Sequence, residues 1–64
     1  MNLIQRQCQQ LKGILEETLL RVTELDKAAT VSTAYVIGIV KRDLENSIDE
    51  VTRAIAINDR DTND

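Results

Sequence analysis

The sequence lacks most of the residues that stabilise or activate a small protein. Its 64 residues include no histidine and no proline, with one cysteine (Cys8), one aromatic residue (Tyr35) and two glycines. One cysteine cannot form an internal disulfide, and without histidine it has no partner for a zinc site. A single core of this size rarely contributes more than ~3–5 kcal/mol. Oligomerisation is the source of stability that remains.

The charge balance and the hydropathy exclude several classes of partner. Eight basic and eleven acidic residues give a net charge of −3, which argues against binding to DNA or RNA. The longest uncharged run, residues 28–40, is too short and too rich in Thr and Ser to span a bilayer. The N-terminus has no basic segment, apolar stretch and cleavage site of a signal peptide. We therefore expect a cytoplasmic protein without a membrane or nucleic-acid partner.

Apolar and small residues recur in alternating steps of four and three, which predicts two amphipathic helices. The positions are Ile4, Cys8, Leu11, Leu15, Thr18, Val22, Leu25 and Ala29, then Ile37, Val40, Leu44, Ser47, Val51 and Ala54. The step from Ala29 to Ile37 breaks the heptad phase, and the residues there, Thr30 to Thr33, favour a helix N-cap over a helix interior. The sequence therefore predicts an all-α protein, an antiparallel two-helix hairpin rather than one continuous coiled-coil helix.

The predicted hairpin has defined boundaries and a defined register. It covers residues 1–58, with helix one at about 2–28, a turn at about 29–32 and helix two at about 33–57, and Asn2 is the expected N-cap. Folding about the point between Ala29 and Thr30 places residues opposite each other when their numbers sum to 59. Residues 59–64 contain no apolar residue and are expected to form a disordered acidic tail.

A two-helix hairpin leaves its outer faces exposed unless something covers them. Val31, Tyr35, Val36 and Ile39 lie off the predicted seam, and residues 34–40 carry no charge on any side. We therefore expect a homo-oligomeric helical bundle, at least a dimer of hairpins, that packs through this end.

The start of helix two contains the best candidate ligand site. Thr30, Ser32 and Thr33 combine hydroxyl groups with the free N–H groups of a helix N-terminus, a combination suited to a phosphate, and Tyr35 could stack on a base. The alternative is ordinary N-capping by the hydroxyls and a tyrosine in the oligomer interface.

Three cations, Arg21, Lys41 and Arg53, are further candidates. The i,i+4 spacing of Glu17 with Arg21, and of Asp49 with Arg53, is equally typical of a solvated face. Lys41 falls on the core-facing side of helix two, where its side chain either extends to solvent or points into a cavity between subunits.

Catalytic chemistry has no support in the sequence. We find no nucleophile–base pair, no metal-ligand set and no glycine-rich phosphate loop, so we expect neither an enzyme nor a metal or other cofactor. Cys8 lies on the apolar seam and is expected to be a structural thiol. Gly13 and Gly38, inside the helices, indicate close helix packing or room for a ligand.

The segment from Ile39 to Ile55, IVKRDLENSIDEVTRAI, resembles the second helix of a family of small phage proteins. These are the helical-hairpin sponges that counter the CBASS and Thoeris bacterial defences. The matching positions are Lys41, Asp43, Leu44, Glu45, Arg53, Ala54 and Ile55.

The resemblance implies a compact homo-oligomer, often a hexamer, that holds a cyclic nucleotide second messenger at its subunit interfaces in the host cytoplasm. It implies that Tyr35, the hydroxyls between Thr30 and Thr33, and some of the cations Arg21, Lys41 and Arg53 form that pocket. A different function also fits the residues: a small inhibitor or adaptor that docks a partner protein through its apolar helical face.

Overall fold

The computed structural model describes residues 2–62, with Thr62 described by its backbone alone, as an antiparallel helical hairpin. Helix α1 spans Leu3–Lys27 and helix α2 spans Val31–Thr62. The Asn58 side-chain amide, near the end of α2, donates to Asn2 Oδ1 at 3.3 Å and to Gln5 Oε1 at 2.9 Å, at the start of α1. The predicted all-α hairpin is thereby confirmed, and its extents are 51 × 14 × 11 Å.

Local hydrogen bonds define both ends of α1. The expected N-cap is present, since Asn2 Oδ1 accepts a hydrogen bond of 2.7 Å from the Gln5 backbone N–H. At the other end, the Ala28 N–H donates to the Leu25 carbonyl at 3.1 Å, and the helix ends at Lys27. A lysine in the last turn interacts favourably with the negative end of the helix dipole.

Reciprocal threonine bonds start α2. The Thr30 N–H donates to Thr33 Oγ1 at 2.9 Å, and the Thr33 N–H donates to Thr30 Oγ1 at 3.3 Å. This arrangement matches a capping box in which threonine replaces the usual glutamate. Helix two therefore starts at Val31, two residues before the predicted boundary.

The second helix also continues beyond its predicted end. Residues 59–62, expected in a disordered tail, are helical, while Asn63 and Asp64 of that tail lie outside the described residues. Neither Gly nor Pro interrupts this segment, Asn58 is bonded to α1, and Arg60 places a cation in the last turn.

The contact between the helices is a line of half-buried positions, which we call the seam. It consists of Gln5, Cys8, Lys12, Leu15, Leu19, Val22 and Asp26 from α1, of Ala29 in the turn, and of Ala34, Ile37, Lys41, Leu44, Ile48, Val51, Ile55 and Asn58 from α2. Thr23 is also half-buried but lies beside this line. Taken in opposite directions along the chain, the seam positions pair with numbers that sum to 63, as do those of the hydrogen-bonded Gln5 and Asn58. The register therefore differs by about one helical turn from the predicted sum of 59.

Two alanines account for part of this register. Ala29 in the turn and Ala34 in the first turn of α2 are both half-buried, and their small side chains suit the point where the chain reverses. At the open end, the Asn58 side-chain amide donates a hydrogen bond to the side-chain oxygen of Gln5, which fixes these two positions opposite each other. Apolar spacing alone contains neither constraint.

Candidate functional site

The most apolar stripe of the sequence does not coincide with the seam. Half of the predicted positions, such as Leu15 and Leu44, are on the seam, but the other half are displaced by one residue. On the seam, Lys12 occupies the position expected for Leu11, and Lys41 occupies the position expected for Val40. One residue corresponds to 100° around a helix, so the apolar stripe is rotated by about 50° from the seam on each helix.

Both rotations point to the same side of the hairpin. In antiparallel helices, residues displaced from the seam in the same sense along the chain lie on the same side. The resulting surface, which we call the apolar face, consists of Ile4, Leu11, Ile14, Leu25, Val36, Val40 and Ile57, with Thr18, Ser47 and Ala54 between them. All of these residues are exposed, and no residue among those described is fully buried. The hairpin thus has a long apolar surface without a layer to cover it.

The opposite face of the hairpin contains a groove with an acidic lining, and we call it the acidic face after that groove. The groove is shallow, has a volume of about 440 Å³ and is lined by Glu16, Leu19, Leu20, Glu45, Ile48 and Asp49. Three of these six residues are carboxylates from both helices. This groove would repel a phosphate group, and it is the less suitable of the two grooves for a nucleotide.

A second groove lies at the turn end of the apolar face. Its volume is about 510 Å³, and it is lined by Leu25, Ala28, Ala29, Thr30, Ser32, Thr33, Val36 and Ile37. The lining contains three hydroxyl groups and no carboxylate. A small anionic ligand would therefore meet hydrogen-bond donors here and no fixed negative charge.

The hydroxyls of this groove already bond to one another. Thr30 Oγ1 lies 3.2 Å from Ser32 Oγ and 2.9 Å from Thr33 Oγ1, and Thr33 Oγ1 also lies 3.2 Å from the Thr30 carbonyl oxygen. These bonds start α2 and hold the three side chains in one cluster. The cluster serves the helix N-terminus whether or not a ligand binds.

The other candidate residues are spread along the hairpin. Tyr35 is 75% exposed near the turn, on the side of the acidic face, and Lys41 is half-buried on the seam. Arg53 lies eighteen positions beyond Tyr35 on the same helix, which is about 27 Å along the axis. A single hairpin therefore does not bring these candidate side chains together.

Two of the candidate cations have acidic neighbours on their own helix. Arg21 pairs with Glu17 at 3.0 Å, as its spacing predicts, whereas Arg53 pairs with Glu50 at 3.3 Å and not with the expected Asp49. All four side chains are about two-thirds or more exposed, so each pair contributes little to stability.

Lys12 is a feature that the hydrophobic spacing did not reveal. It is half-buried on the seam, as is Lys41, and each occupies the seam position next to an apolar-face residue. Both lysines lie on the acidic-face side of the seam, where long stems can cover the seam while the charges reach solvent.

Several kinds of site are absent from the described part of the chain. Over residues 2–61, no cluster of Cys, Asp or Glu side chains is arranged to hold a metal ion. Neither helix, over its described length, is long and apolar enough to cross a membrane. Cys8 is a free, half-buried thiol on the seam. No family model, curated protein or solved structure matches the chain.

Proposed function

We propose that this chain is a non-enzymatic binding protein that works as a homo-oligomer and sequesters a cyclic nucleotide second messenger between its subunits. The uncovered apolar face is the observation that carries the proposal. Seven large apolar side chains lie exposed on one side of the hairpin. In a helical bundle, a second layer of helices covers such a face.

The total accessible surface of the hairpin also supports self-assembly. The accessible surface of the chain is 4979 Å², whereas a compact monomer of 7.2 kDa exposes roughly 4100 Å². The excess of roughly 850 Å² is comparable to the area that one partner buries in a standard protein interface. Covering the apolar face would bring the surface of each subunit to a normal value.

The ligand class rests on the family resemblance, and the turn groove is its most suitable location. There Thr30, Ser32 and Thr33 would donate hydrogen bonds to phosphate oxygens, away from the carboxylates of the acidic face. Tyr35 lies on the other side of the hairpin from this groove, and Arg53 lies about 27 Å from Tyr35 along α2. The stacking Tyr35 and the cations Arg21, Lys41 and Arg53 would therefore come from other hairpins of an assembly larger than a dimer. Such a protein would keep the messenger from its effector and so counter a bacterial defence.

Native mass spectrometry tests the proposal directly. The protein is measured as purified from cells and again after addition of a panel of cyclic di- and trinucleotides. We expect a closed oligomer that gains discrete ligand masses. Tyr35→Ala and Arg53→Ala should abolish the gain while the oligomer persists, whereas Arg60→Ala, a cation in the last turn of α2, should bind normally. An oligomer that takes up no nucleotide would remove the ligand from the proposal.

A second function, docking of a partner protein, is favoured by one observation. Val31 and Tyr35, 95% and 75% exposed, lie away from the apolar face and would stay exposed if that face were covered by self-assembly. Together they offer a small apolar patch for a partner helix. Ligand-free oligomers whose capture of a partner is lost on Val31→Ser would favour this adaptor function.

A further inference from the structure

We infer that the apolar face binds a second copy of the hairpin with both turns at the same end, so that α1 of each copy lies against α2 of the other. The inference rests on the self-assembly proposed above and specifies its geometry. It follows from two features of the apolar face, which are the angle of its stripe and the charges at its edges.

The angle of the stripe identifies the occupant as a layer of two helices. In a square four-helix bundle, each helix faces the bundle axis at about 45° from the direction of its neighbour. The apolar stripe lies about 50° from the seam on α1 and on α2, in the same sense. Both helices therefore face a common axis outside the hairpin, where a second pair of helices completes the core. A partner that contributed a single helix would fit one groove between α1 and α2. It would not require the apolar stripes of both helices to be rotated from the seam by the same angle.

A second copy can supply this layer in two symmetric ways. If the two-fold axis runs along the hairpin, the turns meet at the same end and α1 packs on α2 of the second copy. If the axis runs across the hairpin, the turns lie at opposite ends, and each helix packs on its own counterpart. Neighbouring helices are antiparallel in both arrangements, so helix direction does not distinguish them.

The charged residues at the edges of the apolar face do distinguish them. The edge of α1 contains Arg21, and the edge of α2 contains Asp43 and Glu50, all of them exposed. Arg21 and Glu50 also have exposed ion-pair partners on their own helices, Glu17 and Arg53, and such pairs are weak enough to be exchanged for a contact across an interface. In the seam register, position 21 is level with position 42. When the turns are at the same end, Arg21 of each copy therefore lies next to Asp43 of the other copy. The two-fold axis gives two such ion pairs.

The arrangement with turns at opposite ends places like charges together. The midpoint of the hairpin falls near residue 46 of α2, and Asp43 and Glu50 lie three and four residues on either side of it. A two-fold axis through this point sets Asp43 of each copy against Glu50 of the other. Like charges across an interface are unfavourable, so this arrangement is the weaker of the two.

Disulfide trapping between two variants tests the geometry. In a Cys8→Ser background, Arg21→Cys protein is mixed with Asp43→Cys protein, refolded together and oxidised with oxidised glutathione. A parallel mixture of Asp43→Cys with Glu50→Cys reports the opposite arrangement. Intact mass identifies the cross-linked pair, and light scattering after size exclusion gives the oligomeric state of the unoxidised samples. We expect at least tenfold more cross-linked heterodimer in the first mixture.

Each other outcome overturns a defined part of the inference. Cross-linking in the second mixture, or equally in both, contradicts the same-end arrangement. A dimer that cross-links in neither mixture contradicts the use of the apolar face but leaves self-assembly intact. A monomer by light scattering removes the self-assembly itself.

Discussion

At the scale of single residues, the open end of the hairpin depends on Asn2. Its side-chain oxygen accepts hydrogen bonds from the Gln5 backbone N–H at 2.7 Å and from the Asn58 amide at 3.3 Å. One residue thus caps α1 and joins it to the end of α2, at the point farthest from the covalent turn. The hydrogen bond from Asn58 to Gln5, at 2.9 Å, joins the two helices at the same end.

Asn2→Ala should therefore lower the free energy of unfolding by about 1 kcal/mol or slightly more, because it removes the N-cap and a contact with α2. Chemical denaturation at one fixed protein concentration measures the change, since the stability of an oligomer depends on concentration. Asn46→Ala is the matched control, on an exposed position in the middle of α2, and should be neutral or slightly stabilising. Equal losses in both variants would show that Asn2 has no special role.

The residue scale also shows what the sequence could and could not predict. The cap at Asn2 and the start of α2 near Thr30 were predictable, because capping depends on residues three or four positions apart. Lys12 on the seam was not, because hydrophobic spacing selects its apolar neighbour Leu11, whereas Lys41 was already expected on the core-facing side of helix two. Which of two adjacent residues contacts the other helix depends on how each helix is rotated about its own axis. That rotation depends on everything that packs against the helix, and the sequence of one helix does not determine it.

At the scale of the helices, the glycines are unusual because nothing packs against them. A Cβ atom added at Gly13 or Gly38 would meet no atom within 4 Å, so within the hairpin neither glycine serves the close packing that is one of the two predicted roles. Both lie on the side of the seam away from the apolar face. Each therefore weakens its helix without a compensating contact inside one hairpin.

Gly13→Ala and Gly38→Ala should each raise the free energy of unfolding by about 0.5–1 kcal/mol, because alanine loses less backbone entropy in a helix. Thermal unfolding followed by circular dichroism measures the gain. Ala56→Gly, an exposed helical position on the same side, is the reverse control and should lose a similar amount. If either alanine variant instead dissociates the oligomer, this side and not the apolar face is a subunit contact.

The helices also show why the predicted register of the two helices differs from the observed register by one turn. Two heptad stripes pair well at any shift of about one turn, because the apolar pattern repeats. The choice between the sums of 59 and 63 depends on the capped start of α2, on the small half-buried residues Ala29 and Ala34, and on the hydrogen bond from Asn58 to Gln5. The first two are local to the turn, and the last is a contact between residues far apart in the chain.

At the scale of the whole molecule, the two faces of the hairpin differ in chemistry, and the proposed assembly depends on that difference. One face combines seven large apolar side chains, and the other has a groove with three carboxylates. The heptad stripe predicted from the sequence contributes directly to the apolar face, although it was expected to form the seam. The spacing therefore identified an apolar stripe that one hairpin covers only in part.

Two leucines of α1 provide a matched test of this difference. Leu25 on the apolar face and Leu20 on the opposite side are 58% and 68% exposed, so in an isolated hairpin their substitution should have similar small effects. Glutamine keeps the helix propensity of leucine almost unchanged. Leu25→Gln should raise the dissociation constant of the oligomer at least tenfold, because burying a leucine contributes about 1.5–3 kcal/mol and each dimer loses two. Leu20→Gln should leave that constant within twofold. Analytical ultracentrifugation over a concentration series measures both constants, and dissociation caused by Leu20→Gln but not by Leu25→Gln would move the interface to the acidic face.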